Sequence, residues 1–183
     1  MSQDFKIGYL MGNGAAINVA IGFIPDYISI TNLTDGDVIW TGALVNVYTF
    51  TSGGTTEIKA GDKLVGATSG ATFKVREVLT LSSGTWAGGD AAGSLIGDVD
   101  EATGTITSGE NVYVSGGSST NDATLTAAFP KQYTTSIDTE VANEATNVIT
   151  AYVGSSTAGK GFTIASGIAE EAKVLQYVAL RGG

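Results

Sequence analysis

The sequence contains no cysteine and no histidine among its 183 residues. Without cysteine, the chain cannot form a disulfide, a thiolate zinc site or a cysteine nucleophile. Without histidine, it has no imidazole base, and Ser-His-Asp catalysis is excluded within the chain. Any catalysis would depend on carboxylates, lysine, tyrosine or serine, so we expect a protein that is not an enzyme and has no catalytic residue.

Lysine and arginine are missing between Val78 and Pro130, in a stretch that carries six acidic residues: Asp90, Asp98, Asp100, Glu101, Glu110 and Asp122. The whole chain has a formal net charge of −9. Binding to nucleic acid and to anionic membranes both need clustered cations. The charge pattern therefore argues against a nucleic-acid or membrane partner, and it predicts an acidic surface that is solvated.

Long apolar runs are also missing, so the sequence predicts no membrane helix. The first residues, Met1 to Lys6, lack the basic patch and apolar run of a secretory signal, which favours synthesis in a cytoplasm. Proline occurs only 2 times, whereas glycine occurs 26 times. Frequent glycine turns between runs of β-branched residues indicate an all-β chain.

One early stretch gives the clearest hairpin signal in the chain. Residues 27–33 alternate between apolar and polar side chains, as a half-buried strand requires. Asp35-Gly36 suits the tight turn that follows, and a return strand begins at Val38. The C-terminal run 173–181 is apolar on both faces, which predicts a central strand buried in a sandwich. We expect this run to pack with residues 27–33, and we expect an edge strand or arm at residues 5–10.

The composition of the chain changes near residue 55 and again near residue 130, and these two changes predict a discontinuous domain. Residues 1–54 and 131–183 are expected to form a main domain of the β-sandwich or β-tulip type. Residues 55–130 are expected to form a small inserted β domain that is acidic and projects into solvent. Such insertions enter at hairpin tips, because the strand ends of the host stay close together there.

Within the expected insertion, residues 58–65 resemble residues 106–113, since both contain an isoleucine, a glycine-acid turn and an apolar strand. The similarity continues with Ala71-Thr72-Phe73 and Ala123-Thr124-Leu125. These matches suggest two related hairpin units in one module. Trp86 is the expected anchor of its core, because large aromatic side chains dominate buried area.

Several motifs suggest chemistry but have simpler explanations. The acidic loop Gly97-Asp98-Val99-Asp100-Glu101 suggests calcium, yet it lacks the spacing of an EF-hand, so we expect no metal site. Asp35 and Asp37 are explained by turn formation. Glu170-Glu171 has no neighbouring base for catalysis. The glycine-rich segments 11–15 and 84–89 lack the lysine of a phosphate loop, so no cofactor site is expected.

Three aromatic residues on predicted strands could line a carbohydrate groove: Trp40, Tyr48 and Tyr152. Aromatic residues on strands are more often part of the core, and we favour that interpretation.

The two ends of the chain resemble a known group of proteins. Gly22-Phe23-Ile24-Pro25-Asp26-Tyr27-Ile28-Ser29-Ile30, with the following 32–36, resembles the N-terminal signature of virion proteins of tailed bacteriophages. Residues 161–164 and 175–181 are similar to the closing strands of the same group, which is best known for capsid decoration (head-stabilising or cement) proteins. The middle segments 66–72 and 84–93 resemble a small β module of varied phage structural proteins.

The resemblance implies a structural protein that binds the outer surface of a phage capsid and stabilises the expanded head. Its partner would be the major capsid protein, and it would act as a homo-oligomer, with a trimer suggested by the family. It would be made in the host bacterial cytoplasm and end in the virion. The alternatives are a tail or baseplate component, or a receptor-binding module that holds glycan on exposed aromatic residues.

Overall fold

The computed structural model describes residues 4–36, 38–118, 120–129, 133–138, 141–146 and 148–182. All regular structure in these residues is β-strand, which confirms the all-β prediction, and they contain no helix long and apolar enough to cross a membrane. The strands are β1 (Asp4–Met11), β2 (Ile17–Ala20), β3 (Tyr27–Asn32), β4 (Val38–Ala43), β5 (Asn46–Gly53), β6 (Lys63–Gly66), β7 (Thr72–Val78), β8 (Ala91–Gly97), β9 (Asn111–Val114), β10 (Ala123–Phe129), β11 (Tyr133–Asp138), β12 (Val141–Thr146), β13 (Ile149–Tyr152), β14 (Gly161–Ile164) and β15 (Val174–Arg181).

The chain divides into two compact units. The terminal unit comprises Met1–Leu44 and Gln132–Gly183, and the barrel unit comprises Val45–Lys131. The barrel unit begins earlier than the insertion expected at residue 55, because β5 pairs with β8 and β10 rather than with strands of the terminal unit. Gly53 at the end of β5 is a buried strand residue opposite Ala91.

The terminal unit is built around a six-stranded antiparallel sheet with the order β1-β15-β3-β4-β11-β12. The predicted hairpin forms β3 and β4, with Gly36 at a φ of 78° in the turn, where a residue without Cβ is favoured. The register of β3 with β15 places Ile28 opposite Ala179 and Ile30 opposite Tyr177. The prediction that residues 27–33 pair with the C-terminal run is therefore confirmed.

A three-stranded sheet, with the order β13-β14-β2, covers the inner face of the six-stranded sheet. The ring of Phe162 on β14 meets Tyr177 on β15 edge to face, with ring centroids 5.3 Å apart. The buried residues between the two sheets include Ile28, Ile30, Ile149, Phe162, Ile164 and Leu175. This packing of two sheets around one apolar layer is a β-sandwich.

One segment of the terminal unit differs from the expectation. The sequence of residues 136–145 favours a short helix or an irregular connector, but residues 136–138 lie in β11 and residues 141–145 lie in β12, and these two strands pair antiparallel. β11 also pairs with β4, and Ile137 stands opposite Ile39. The neighbouring strand supplies backbone partners that local sequence does not reveal, and this tertiary pairing overrides weak helical propensity.

The barrel unit is a closed barrel with the strand order β10-β5-β8-β7-β6-β9. Its register has an internal two-fold symmetry. Val65 and Tyr113 hold the same place in the two similar segments, 58–65 and 106–113, and they stand opposite each other where β6 meets β9. A two-fold axis at this pair therefore relates the pair Leu64–Val114 to the pair Gly66–Val112. The strands β5, β6 and β7 therefore correspond to β8, β9 and β10, and the barrel contains two copies of one three-stranded unit.

Turns and bulges repeat in the two copies. The Gly61 amide donates to the Val75 carbonyl at 2.7 Å, and the Gly109 amide donates to the Leu125 carbonyl at 2.6 Å. The third strand of each copy carries a bulge at the same point, directly after Val75 in β7 and after Leu125 in β10. The predicted relation between residues 58–65 and 106–113 is confirmed. The expected match of Phe73 with Leu125 is wrong, since Val75 occupies that position.

The barrel core consists mainly of aliphatic side chains and the rings of Tyr48, Phe50 and Phe73. Tyr48 stacks on Phe73 with ring centroids 4.2 Å apart. Trp86 stacks on Phe50 at 5.3 Å but is only partly buried, so it lies at the margin of the core. The prediction that Trp86 anchors the core is therefore corrected: Phe50 and Phe73 are the fully buried aromatic residues of the barrel.

Candidate functional site: an apolar outer face on the terminal sheet

The outer face of the six-stranded sheet is rich in exposed apolar side chains. On β1 the alternate residues Phe5, Ile7, Tyr9 and Met11 are all exposed, with Tyr9 at 66% of its full accessible area. On β15, Leu175, Tyr177 and Ala179 are buried, so the alternate residues of that strand point to the outer side. We call the outer apolar face the following set: Phe5, Ile7, Tyr9, Met11, Tyr27, Ile39, Val174, Val178 and Leu180.

The strand register makes these side chains neighbours. Phe5 stands opposite Leu180, which stands opposite Tyr27, so three apolar side chains lie side by side across three strands. Tyr9 stands beside Gln176, whose side-chain amide donates to the tyrosine hydroxyl at 2.9 Å. Strand spacings make the surface that carries these side chains about 20 Å long along β1 and about 14 Å wide from β1 to β4. Ser29, Thr31 and Thr41 lie on the same side in β3 and β4, so the apolar side chains are concentrated on β1 and β15.

An exposed apolar face of this kind is uncommon on an antiparallel sheet. One face of such a sheet usually packs on the core while the other is polar and solvated. Contiguous apolar patches of several hundred square ångströms on a protein surface mark places where another molecule binds. The arrangement is therefore suited to docking on a second apolar surface.

The strand β1 adds an unpaired edge to this face. In the described part of the chain, β1 pairs with β15 on one side and with no strand on the other. Alternate residues of an edge strand direct backbone N–H and C=O groups outward, where another strand can pair with them. β1 runs for 8 residues without proline, so the edge can accept a partner along its length.

One end of β1 carries a small cavity of about 330 Å³, lined by Asp4, Phe5, Leu180, Arg181 and Gly182. Arg181 Nε lies 3.9 Å from a carboxylate oxygen of Asp4, and the Gly182 amide donates to Asp26 Oδ2 at 2.7 Å. The polar groups at this corner are thus engaged with one another. An apolar group that enters the cavity would meet mainly Phe5 and Leu180.

The sequence of the C-terminal run predicts a different environment for β15 from the one observed. The C-terminal run is apolar on both faces, which predicted burial on both sides. β15 is indeed central in its sheet, between β1 and β3, but Leu180 is exposed and Val178 only half-buried. The prediction of burial on both sides is wrong. The alternation of Phe5, Ile7, Tyr9 and Met11 on an edge strand was the signal that could have revealed the outer face.

The acidic loop after β8 is held by cations from β7. Asp98 Oδ1 lies 3.3 Å from Arg76 and accepts from the Asp100 amide at 3.0 Å. Glu101 Oε1 lies 3.4 Å from Lys74 Nζ. Among the described residues, no group of three or more potential ligands is arranged to hold a metal ion. These carboxylates serve the turn and its ion pairs.

The turn between β3 and β4 uses Asp35 in the same structural way. Its carboxylate accepts a hydrogen bond from Lys173 Nζ at 2.6 Å and another from the side-chain amide of Asn32 at 2.7 Å. The hydrogen bond from Lys173 lowers the pKa of Asp35 below its ordinary value of 3.8. Asp37 lies outside the described residues. Glu170 and Glu171 are exposed turn residues.

The three aromatic residues considered for a carbohydrate groove do not form one. Tyr48 is buried in the barrel core, and burial raises its pKa to about 12. Trp40 lies on β4 of the six-stranded sheet, whereas Tyr152 lies on β13 of the three-stranded sheet, and both are half-buried. The interpretation of Tyr48 as a core residue is confirmed.

Comparison of the chain with protein-family models, with curated proteins and with solved structures found no match.

Proposed function

We propose that this chain is a structural, non-enzymatic virion protein of a tailed bacteriophage, which binds the outer surface of the capsid and stabilises the expanded head. The observation that carries the proposal is the outer apolar face of the terminal unit together with the free edge of β1. The sequence resemblance at residues 22–30, 32–36, 161–164 and 175–181 supplies the phage context. Much of this resemblance lies in β3, β14 and β15, and β3 and β15 contribute directly to the sheet that presents the face.

The major capsid protein is the proposed partner. Its subunits would cover Phe5, Ile7 and Tyr9, and an extended capsid segment would pair with the open edge of β1 by strand addition. Backbone hydrogen bonds would fix the register, and burial of the apolar side chains would supply most of the free energy, at about 25 cal/mol per Å² of apolar area. No cofactor is required for such an attachment.

Attachment in many copies compensates for a small contact. Stable interfaces bury about 800 Å² per partner, whereas the outer apolar face has about a third of that area. A homo-oligomer, such as the trimer suggested by the family, would bind several capsid subunits at once, so dissociation of one contact would not release the protein. Preferential binding to the expanded lattice would then stabilise that state by mass action.

Co-sedimentation with expanded, undecorated capsids tests the proposal. We expect the intact chain to sediment with them, and we expect Tyr9→Lys combined with Ile7→Lys to weaken binding at least about tenfold, because two charges would be placed in an apolar contact. Val153→Lys is the matched control, since Val153 is exposed on the terminal unit but lies outside the outer apolar face.

Two outcomes would contradict the capsid assignment. Failure of the intact chain to sediment with expanded capsids would remove the proposed partner. Immunogold labelling of virions that is confined to the tail would instead identify a tail or baseplate component.

A further inference from the structure

The barrel unit contains a groove that is separate from the outer apolar face. Its volume is about 500 Å³. The side chains on its wall and rim include four polar ones and two large apolar ones: Glu57, Lys59, Glu77, Thr80, Leu81 and Trp86. Ile58, which is buried, together with Ala60, Val78 and Leu79 completes the lining. Grooves of this size with an apolar floor and a few convergent polar groups are typical of small-ligand sites.

The groove lies beside the bulge of β7. The register of β7 with β8 shifts between Val75 and Glu77, so this strand has an extra residue at that point. Bulges redirect side chains and are common beside binding sites. Glu77 is exposed, and among the described residues its carboxylate has no hydrogen-bond or ion-pair partner. An unpaired carboxylate at the rim is available to a ligand.

The internal symmetry of the barrel shows that only one of the two copies carries the charged side chains of the groove. The second copy repeats the turn and the bulge, and Ile106 is the buried counterpart of Ile58. In place of Glu57 and Lys59, however, the second copy has Thr105 and Thr107, and Ala127 stands where Glu77 stands in the first. The barrel architecture does not require these charges, because the second copy forms the same strands without them.

Trp86 also belongs to one copy alone. It comes from the segment between β7 and β8, and its ring stacks on Phe50 while part of it lines the groove. Among the described residues, the indole N–H has no hydrogen-bond partner. The groove therefore combines an aromatic surface with an unused donor.

We propose that this groove binds a neutral, hydroxyl-rich ligand of the saccharide class. Each sugar hydroxyl both donates and accepts, and the rim offers carboxylate acceptors (Glu57, Glu77), an ammonium donor (Lys59) and the Thr80 hydroxyl. Glu57 and Lys59 lie 3.5 Å apart, so they present an acceptor and a donor side by side. The apolar face of a sugar ring would contact Trp86 and Leu81.

Other ligand classes fit less well. Two carboxylates against one ammonium disfavour an anionic sugar or a phosphate, which would be repelled by the excess negative charge. A basic peptide would find acceptors and an aromatic ring for a cation–π contact, but it would also meet the charge of Lys59. A neutral ligand with paired donors and acceptors can use every polar group of the rim without meeting a charge of its own sign.

A glycan array that contains neutral hexose and N-acetylhexosamine oligosaccharides, sialylated oligosaccharides and an oligolysine peptide provides the first test. We expect signals from neutral glycans. The strongest neutral glycan is then titrated into a Trp40→Phe variant, in which Trp86 is the sole tryptophan, since the chain has only 2. Saturable change in the Trp86 emission is the expected result.

Variants on the rim and at Trp86 identify the site. Glu77→Gln keeps the shape of an exposed side chain and is expected to weaken binding about tenfold, because it removes a charge-assisted acceptor. Thr107→Ala is the matched control on the other copy, where Thr107 takes the position of Lys59, and it is expected to leave affinity unchanged. Trp86→Phe retains an aromatic ring on Phe50 and should reduce affinity while unfolding remains cooperative.

Three results would overturn the inference. Signals from oligolysine without any neutral glycan would assign the groove to a basic peptide. A neutral-glycan signal that Glu77→Gln and Trp86→Phe leave intact would place binding elsewhere on the chain. An array without any signal would mean that the groove has no saccharide ligand. None of these results depends on capsid binding, which uses the other unit.

Discussion

The barrel unit and the large sheet of the terminal unit each contain six strands, but only the barrel closes on itself. Closure gives every strand of the barrel two neighbours and removes its edges. The terminal sheet stays open, so β1 keeps one unpaired side among the described strands, and the outer side chains of β15 and β3 have no second layer of described residues over them. Two regions of similar β composition therefore differ in the surface that they present.

The difference separates two kinds of interaction surface. An open sheet offers a long edge and a flat apolar face, which suit another protein. A closed barrel offers only what its loops and bulges place at the rim, which suits a small ligand in a groove. The proposed capsid contact lies on the open sheet, and the proposed saccharide groove lies on the barrel.

Removal of the barrel tests whether the open sheet is independent of it. Ala43 on β4 and Tyr133 on β11 are paired residues of adjacent strands, so a linker of about four residues can join the chain across residues 45–131. We expect the shortened chain to fold, with a free energy of unfolding within about 1 kcal/mol of that measured for the terminal unit in the whole chain. Urea unfolding followed by Trp40 fluorescence measures it.

The shortened chain should also retain co-sedimentation with expanded capsids. A control deletion that instead removes residues 55–130 leaves β5 without its barrel neighbours, and it should expose apolar side chains such as Phe50. Loss of cooperative unfolding in the chain that lacks residues 45–131 would contradict the independence of the terminal unit.

A cavity in the barrel core should lower the stability of the barrel unit and leave the stability of the terminal unit unchanged. Phe73 is fully buried and stacks on Tyr48, so Phe73→Ala is expected to lower the free energy of barrel unfolding by about 3 to 5 kcal/mol. Trp86 lies in the barrel unit and Trp40 in the terminal unit, so each tryptophan reports on its own unit. Unfolding is therefore measured in Trp40→Phe and Trp86→Phe backgrounds.

We expect the Trp86 transition to move to lower urea concentration while the Trp40 transition stays in place. Thr107→Ala, an exposed change on the same barrel, serves as the control. Equal shifts of both transitions would mean that the two units unfold together.

The smallest expected effect is an acid dependence confined to the open sheet. Lys173 lowers the pKa of Asp35 in the folded chain below 3.8. The ion pair therefore contributes its stability above the unfolded-state pKa, and this contribution is lost as the pH falls through the lowered folded-state pKa. Asp35→Asn should remove this acid-dependent loss from the Trp40 transition and slightly reduce stability at neutral pH.

The measurement is the urea midpoint of each transition between about pH 7 and pH 3, a range that reaches below the unfolded-state pKa of an aspartate. Glu171→Gln, at an exposed turn near Lys173, is the control and should keep the wild-type pH profile. Asp35 belongs to the terminal unit. If Asp35→Asn also flattened the pH dependence of the urea midpoint for the Trp86 transition, the result would contradict a local effect.

Local patterns predicted much of the fold. The alternation in residues 27–33, the Asp35-Gly36 turn and the apolar C-terminal run indicated β3, the turn and β15, because each pattern depends on near neighbours. The duplication in the barrel was also visible, since isoleucine and glycine recur at Ile58, Gly61, Ile106 and Gly109. The β11–β12 hairpin was missed, because its strands are defined by pairing with β4 rather than by local propensity.

The candidate sites were harder to predict. The alternation of apolar residues in β1 indicates an apolar side of that strand, but the exposure of this side depends on whether a second layer covers it, and no local pattern specifies such a layer. The groove depends on bringing Glu57 beside Glu77 and Trp86. These residues are far apart in sequence, and the bulge of β7 decides where Glu77 points.

The two glycine-acid turns illustrate the limit between local sequence and tertiary structure. Both sequences specify a turn, and Gly61 and Gly109 adopt φ angles of 94° and 82° in equivalent places. Asp62 accepts from the Lys59 amide within its own turn at 2.7 Å, whereas Glu110 accepts from the Ser69 amide and hydroxyl in the other copy, at 3.1 Å and 2.6 Å.

The strands β3 and β15, the glycine turns and the repeat follow from the amino-acid order alone, because they depend on side-chain periodicity and on glycine conformation within a few residues. Three outcomes arose only in the folded chain: which sheet closed, which apolar face stayed exposed and which carboxylate joined the two copies. They depend on contacts between residues that are distant in the chain, and the free energy of each contact exists only once the strands have paired.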